Sequence, residues 1–432
     1  MKFDALLRSR VFWLRDRLSG CPLSTHVQDI AAQMEDPDLR QHRTTERLQA
    51  LLQHATETTR FYQRFRGVSS LDLFPVISKR ALKENYAALF SDCYERSSLL
   101  KTATSGSYGT PLTFYLTREK KLRQHAEIIY FGRWAGFDVG LRYALLSTAK
   151  AKPAWKRYLF NEVYLNPGRL DERWLSMVRQ TLRRHEVQIL IGQSSAVAAL
   201  AQYCIMSGDA PEVLSVTGVI AFGETVPESA RQSVYQAFGV HLLSRYAARE
   251  LGVLAHENPQ TGKHLLNTAS YVIEILDLNS DAPAAPGYLG RVVVTDLFSY
   301  AMPLIRYDTG DLAVLATERS AVGAVPMFER LEGRQVESIF AVDGTRISPF
   351  AIMGALRDLQ QVFQYQFIQT RPTSYELRLV VQQPFTEAEI IRPRLLHLLG
   401  AAADLRITYT DEIASLPSGK RPCVLSYNQG TL

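Results

Sequence analysis

Cysteine is scarce in this chain. Its 432 residues hold four, Cys21, Cys93, Cys204 and Cys423, and none stands at CxxC spacing from another. That excludes a disulfide framework and the paired-cysteine zinc and redox motifs. Four isolated thiols in a chain large enough to bury its own core fit a reducing compartment, so a cytoplasmic setting is expected. Long hydrophobic runs are missing as well. No stretch reaches the ~18 apolar residues that a membrane span requires, and the start, MKFDALLRSRVFWLRDRLSG, is broken by charges where a signal peptide would have an apolar core. There is no internal repeat and no low-complexity tract, which removes solenoids and disordered tails. Excess charge is small, a net +6, compatible with an anionic ligand but too weak to identify one.

What remains is an ordinary globular composition with ordered patterning. Phe3, Leu7, Val11, Leu14 and Leu18 recur at helical spacing. This predicts an N-terminal helix, either packed on the body through that face or, being basic, resting on a membrane surface. A second helix is expected over Thr44–Thr59. From Tyr143 on, short apolar runs alternate with helical ones. Strands are expected at Tyr143–Ser147, Val187–Ile191, Val216–Phe222, Val240–Leu243, Tyr271–Leu276 and Arg291–Thr295, and helices at Arg118–Ala135, Glu172–His185, Ser194–Met206 and Pro227–Phe238. Such alternation predicts an α/β body with mixed or parallel sheets. The last hundred residues read as a small α+β domain. The expected division is 1–332 and 333–432, near Glu332–Arg334.

Six segments carry chemistry. TATSGSYGTP (Thr102–Pro111) concentrates hydroxyls and glycines, and such a loop can cradle an anion with its backbone N–H groups; a plain surface turn has the same composition. No Gly-Lys-Ser/Thr follows at Walker spacing. Gly223-Glu224 and SRYAARELG (Ser244–Gly252) follow expected strands, where open α/β sheets bind ligands. Tyr246 offers an aromatic face to a base, and Glu250 is a hard oxygen ligand suited to Mg²⁺ beside phosphates; an Arg–Glu pair is equally a surface ion pair. RYDTGD (Arg306–Asp311) reads as a turn whose Asp311 could accept both hydroxyls of a ribose diol. LEGRQVES (Leu331–Ser338) lies at the expected domain boundary. LPSGKRP (Leu416–Pro422) puts Lys420 on a Gly-flanked loop as a mobile point charge.

The order and spacing of these segments resemble the adenylate-forming ligases, within them the phenylacetate–CoA ligase and capsular-polysaccharide-biosynthesis branch. RLQALLQHATETTRFYQRF (Arg47–Phe65) and FPVISKRALKEN (Phe74–Asn85) resemble that branch's N-terminal helices. The resemblance spans about residues 45 to 425. It implies a large ATP- and carboxylate-binding domain followed by a small mobile lid. Thr104, Ser105, Gly106, Ser107 and Gly109 match the loop that holds the β- and γ-phosphates of ATP. Gly223, Glu224 and Thr225 match the segment beside adenine, and Tyr246 the residue stacked on it. Glu250 matches the Mg²⁺-binding glutamate, Asp311 the ribose aspartate, Arg334 the nucleotide-contacting arginine at the domain junction, and Lys420 the lysine that bridges carboxylate and nucleotide. Tyr130, Phe131 and Trp134, on the helix after the phosphate loop, are either core aromatics or walls of the acid's pocket.

The implied activity is AMP-forming ligation of a small-molecule carboxylic acid, with ATP and Mg²⁺, and CoA as the default acceptor. An amine or sugar acceptor in surface-polysaccharide or natural-product assembly is the alternative. Homodimerisation stays open, and nucleic acid is not an expected partner; a non-catalytic nucleotide or RNA binder is the remote alternative. The chain departs from the family pattern at three places. Tyr108 replaces a threonine. Ala247 and Arg249 replace the glycine and threonine around Tyr246, and Arg249 would add a cation near the α-phosphate. Val336 replaces a charged hinge residue. Charge is also uneven: Arg118–Arg184 carries 15 Lys/Arg against 6 Asp/Glu, and Lys150–Arg157 is expected to meet a phosphate-bearing acceptor such as CoA.

Overall fold

The computed structural model describes residues 3–103, 112–167, 170–334, 339–347, 351–352, 355–356, 359, 362–381, 385, 387–414 and 421–426. They form two compact units, each assembled from separated stretches of chain. One comprises Met1–Leu6, Ala135–Ser244 and Glu332–Leu432; the other comprises Leu7–Trp134 and Arg245–Leu331.

The first unit holds a parallel sheet and a smaller mixed one. Glu162–Leu165, Tyr143–Leu146, Ile189–Gln193 and Gly218–Phe222 lie side by side in that order, with Tyr143 opposite both Glu162 and Ile189, and Ile189 opposite Gly218. Helices Glu172–Arg184, Ser194–Met206 and Glu228–Phe238 close over these strands through Val178, Leu182, Val197, Leu200 and Val234, all fully buried. Ile189–Gln193 is buried at every position, as a strand covered on both faces must be. Gly218 is obligatory, since a Cβ there would lie 1.8 Å from the Ala135 carbonyl oxygen. The small sheet runs Asp404–Tyr409, Ser374–Val381, Val362–Arg371, Val424–Ser426. The helix Ala388–Leu399 packs on it through Ile391, Leu395 and Leu399, giving the last hundred residues a core of their own.

The second unit is built on antiparallel strand pairs. Tyr271–Leu276, Leu289–Asp296 and Tyr307–Arg319 form a meander, and Pro326–Arg334, His264–Leu266, Gly252–Glu257 and the strand Leu242–Ala248 continue it. A hairpin pairs Leu100–Ala103 with Thr113–Leu116 and leads into the helix Arg118–Gly132, capped by the Thr117 side chain on the Lys120 N–H. The second expected helix is longer than its apolar pattern. It starts at Pro37, because Asp36 accepts from the Asp38 and Leu39 N–H groups and proline at the first helical position loses no hydrogen bond.

The N-terminal helix forms over Phe3–Leu18, but not with the packed face expected of it. Ala5 and Asp16 are buried, while Leu7, Val11, Leu14 and Leu18 are 52%, 52%, 57% and 80% exposed. The reason is Asp16, whose carboxylate accepts from the Leu23 and Ser24 N–H groups at the start of the next helix and so turns its own side inward. Among the described residues no helix is long and apolar enough to cross a membrane.

Charge holds the helix Arg118–Gly132 to its sheet. Lys120 is fully buried, 2.6 Å from Asp296 Oδ2, and donates to Tyr271 Oη at 3.1 Å. Arg123, also fully buried, donates to Ser270 Oγ, the Ala269 carbonyl and Asp29. Glu127 accepts from the Val253 N–H at 2.9 Å and lies 3.0 Å from Tyr271 Oη. Burial raises the Glu127 and Asp296 carboxyls; Lys120 above all pulls both back. Breaking one partner of such a group strands the others without water. Lys120→Met is expected to cost about 3–5 kcal/mol, read from urea unfolding followed by tryptophan fluorescence. A loss below about 1 kcal/mol would show that these charges do not hold the helix.

Candidate functional site

Two motifs meet in the antiparallel unit. SRYAARELG does not follow a strand, as its sequence suggests; it continues one, Leu242–Ala248, so Tyr246 sits inside the ladder opposite Ala255. RYDTGD does not end in a free turn either. It opens the strand Tyr307–Arg319, and the pairing with Leu289–Asp296 skips from Asp308 to Leu312. The skipped residues bulge outward around Gly310, whose φ of 77° favours glycine. Thr309 ties the bulge down, donating to the Val292 carbonyl and accepting from the Asp311 N–H.

The result joins an aromatic ring to a carboxylate. Tyr246 Oη donates to Asp311 Oδ2 at 2.5 Å, and its ring lies 6.3 Å from that of Phe328. Glu250 follows in the tight turn to Gly252–Glu257. It is 9% exposed, and its Oε1 accepts from Tyr307 Oη at 3.3 Å. That turn is fixed from beneath: Gln124 Nε2 donates to the Leu251 carbonyl, and Gly252 sits where a Cβ would lie 2.3 Å from Glu127 Oε2. Arg249 is exposed. Arg306, itself at φ 49°, is buried and clamped to Glu274 and to the Asp72 and Phe74 carbonyls, which anchors the entry to the bulge.

Glu224 belongs to the other unit, next to Gly223 (φ 83°) and Thr225. Its Oε2 accepts from the Ser195 N–H at 2.8 Å, at the start of the helix Ser194–Met206, where a helix dipole favours negative charge. Its Oε1 accepts from the Arg421 N–H at 2.5 Å. The Arg421 side chain is 4% exposed and donates to the carbonyls of Ile413 (3.0 Å) and Pro167 (2.9 Å). The segment that follows Lys420 is thus clasped from two sides.

The three aromatics are packed against one another and against a histidine. Phe131 is fully buried and stacks on His256, ring centroids 5.9 Å apart and planes 6° from parallel; Trp134 meets both edge-on, and Tyr130 meets Phe131 and Trp134. Trp155, in the basic Lys150–Arg157 segment, and Tyr158, directly after it, are 63% and 75% exposed, and Lys152 is taken by Glu162. Thr104, Ser105, Gly106, Ser107, Gly109 and Lys420 lie outside the described residues. Arg334 ends the strand Pro326–Arg334, and its side chain lies outside the description.

The donor set suits a hydrated cation bound with a nucleotide. Among the described residues no three His, Cys, Asp or Glu side chains are grouped to hold a metal ion. Glu250 would serve as the lone protein carboxylate, with phosphate oxygens supplying the rest, as Mg²⁺ commonly requires. Three residues escaped the sequence reading: Arg421, adjacent to Lys420 but marked by nothing in its pattern; His256; and Arg245, whose signal is a cation inside an apolar strand.

Comparison with known proteins adds four findings. Residues 339–427 match the family model of the CapK C-terminal domain. The chain is 22% identical to protein CapK of Staphylococcus aureus over 82% of its own length and 80% of that protein's. It is 25% identical to phenylacetate–coenzyme A ligase of Thermus thermophilus over 79% and 81%. Among solved structures, 2-hydroxyisobutyryl-CoA ligase in the postadenylation state, in complex with 2-HIB-AMP, shares the fold with a TM-score of 0.72, 19% identity and 89% coverage of both chains.

The clasp on Arg421 makes a measurable claim. Each hydrogen bond from its guanidinium is charge-assisted and contributes about 1.5–3 kcal/mol. Arg421→Met should therefore speed amide exchange in the strand Val424–Ser426 by about 10–100-fold, while the strand Ile189–Gln193 keeps its protection. Unchanged exchange at Val424–Ser426 would mean that the clasp bears no load.

Proposed function

We propose that this chain, similar to the phenylacetate–CoA ligases and to CapK, is an adenylate-forming enzyme that activates a carboxylic acid with ATP and passes the acyl group to CoA. In the first step a carboxylate oxygen attacks the α-phosphorus, the bond to pyrophosphate breaks, and an acyl-adenylate forms. In the second the thiol sulfur attacks the acyl carbon, its proton is released, and AMP leaves. The observation that carries this reading is the Tyr246–Asp311 hydrogen bond, which fixes an aromatic face and a diol acceptor side by side, with Glu250 on the following turn.

The residues then divide the work by charge. Tyr246 stacks on adenine and Asp311 accepts the ribose hydroxyls; Gly223, Glu224 and Thr225 are assigned to the adenine segment by their motif. Thr104, Ser105, Gly106, Ser107 and Gly109 receive the β- and γ-phosphates on backbone N–H groups and hydroxyls. Glu250 would hold Mg²⁺, which supplies charge neutralisation on the phosphates. Arg249 adds a cation there, and Arg334 contacts the nucleotide from the domain junction. Lys420 bridges the carboxylate and the α-phosphate, offsetting their mutual repulsion and holding them in line. Tyr130, Phe131 and Trp134 wall the acid's pocket. Residues 333–432 act as the domain that delivers Lys420, and the clasp of Arg421 on Glu224 and Pro167 steadies the segment beside it. Lys150–Arg157 receives the acceptor's phosphates.

A second reading keeps the adenylation step and replaces CoA with an amine or a sugar. It is favoured by the CapK C-terminal match over residues 339–427 and by Val336 at the hinge.

Acid-dependent pyrophosphate release tests the shared step. Lys420→Ala and Glu250→Gln should each lower it by about 10²–10³, with unchanged circular dichroism. Wild-type release that no acid in an aryl, acyl and amino-acid panel stimulates would sink the reading. Adding CoA, amines or sugars to the pre-formed adenylate separates the acceptors.

A further inference from the structure

We propose that the acid substrate carries a second carboxylate, distant from the one that reacts, and that the guanidinium fork of Arg245 receives it. This rests on the reading above that the chain activates a carboxylic acid.

Arg245 is 7% exposed, and its Nε and Nη2 are buried with no hydrogen-bond partner among the described residues. Those two nitrogens form the edge of the guanidinium that grips a carboxylate with two parallel bonds. Elsewhere in this chain the same edge is filled. Arg306 Nε and Nη2 donate to Glu274 at 3.2 and 3.0 Å, and Arg378 Nε and Nη2 donate to Glu376 at 3.1 and 3.0 Å. Arg179 holds Asp209 in the same way. Buried Arg123 is fully partnered as well. Among the described residues Arg245 alone of these has that edge empty, and burial draws its guanidinium down to a pKa of about 10. An unpaired buried cation destabilises a fold, so a ligand that pairs with it explains its presence where a structural role does not.

Its surroundings suit the body of an organic acid. Arg245 stands directly opposite His256 in the ladder, so the two side chains share one face of the sheet. His256 carries the stacked Phe131 and the edge of Trp134 on that face. Its Nδ1 donates to the Glu257 carbonyl, and burial, with Arg245 adding to it, holds the ring's pKa well below the usual value. The imidazole is therefore neutral and leaves the positive charge to Arg245. Length follows from register. Arg245 lies three residues before the end of its strand, about 10 Å at the rise of an extended chain. A substrate reaching from Arg245 to phosphates held at Arg249 and Glu250, just past the strand's end, is thus a diacid with an aryl or medium-length alkyl spacer.

Paired acids that differ only in the second carboxylate test this: phenylacetate against 4-carboxyphenylacetate, and hexanoate against adipate. Wild-type kcat/KM for pyrophosphate release should favour at least one diacid by about 100-fold or more. Arg245→Met should abolish that preference, chiefly through KM, while keeping activity on the monoacid. Its Tm should equal or exceed that of wild type, because the variant removes an unpaired buried charge. A wild-type preference for both monoacids, an equal loss on both members of each pair, or a lowered Tm would overturn the proposal. Calorimetric titration of the diacids separates it from the adenylation reading. Arg245-dependent binding without pyrophosphate release keeps the carboxylate site and overturns adenylation. Absence of Arg245-dependent binding overturns the site, whatever the pyrophosphate assay shows.

Discussion

The buried charges along the helix Arg118–Gly132 constrain the turn that carries Glu250 and the strands on which it rests. Lys120, Arg123 and Glu127 recur at spacings of three and four, so they share one face, and that face is turned inward. Buried ions are an expensive way to attach a helix, since apolar side chains of similar volume do it at less cost. What charge adds is geometry. A leucine seam tolerates a slip of an ångström, whereas Lys120 between Asp296 and Tyr271, and Glu127 on the Val253 N–H, do not. The helix is thereby locked in rotation and height. The hairpin that precedes it, and the turn carrying Glu250 that Gln124 and Glu127 support, inherit that position.

Much of this architecture is legible in the sequence. The helix Ser194–Met206 is found to the residue, because its apolar pattern begins directly after an apolar strand. Strand positions fail where a charge interrupts the run. Arg245 makes Val240–Leu243 look finished, when the strand in fact runs to Ala248 and carries Tyr246 with it. The rule that cations face water is sound on average, and it fails where a buried cation lacks a partner. DTGD reads as a turn because its composition is that of one; the structure uses the same residues as a bulge, which displaces Asp311 from the ladder without ending the strand.

Other features have no sequence signal at all. Arg421 and Glu224 are 197 positions apart, and Arg421 and Pro167 are 254 apart. No spacing or periodicity connects them; only the fold does. The same holds for the N-terminal helix. Its leucine stripe predicts the helix correctly, while the two hydrogen bonds that Asp16 accepts at the start of the next helix decide which side turns inward. A periodic pattern identifies the element and one polar side chain orients it.

The interleaving of the two units also sets an order of events during synthesis. The unit that holds Tyr246, Glu250 and Asp311 has all its residues once Leu331 has left the ribosome, with Ala135–Ser244 spanning the gap between its two parts. The unit that holds Glu224 cannot complete its small sheet until Val424–Ser426 has emerged to pair with Phe367–Gln369. Pairings so distant in sequence are slow to form and expose unpaired strand edges while they wait. A nascent chain stalled between these two points would have one unit complete, with the Tyr246–Asp311 hydrogen bond in place, and the small sheet of the other unfinished. Until Val424–Ser426 emerges, the Phe367–Gln369 edge stays unpaired, the kind of exposed strand edge that invites pairing with another chain.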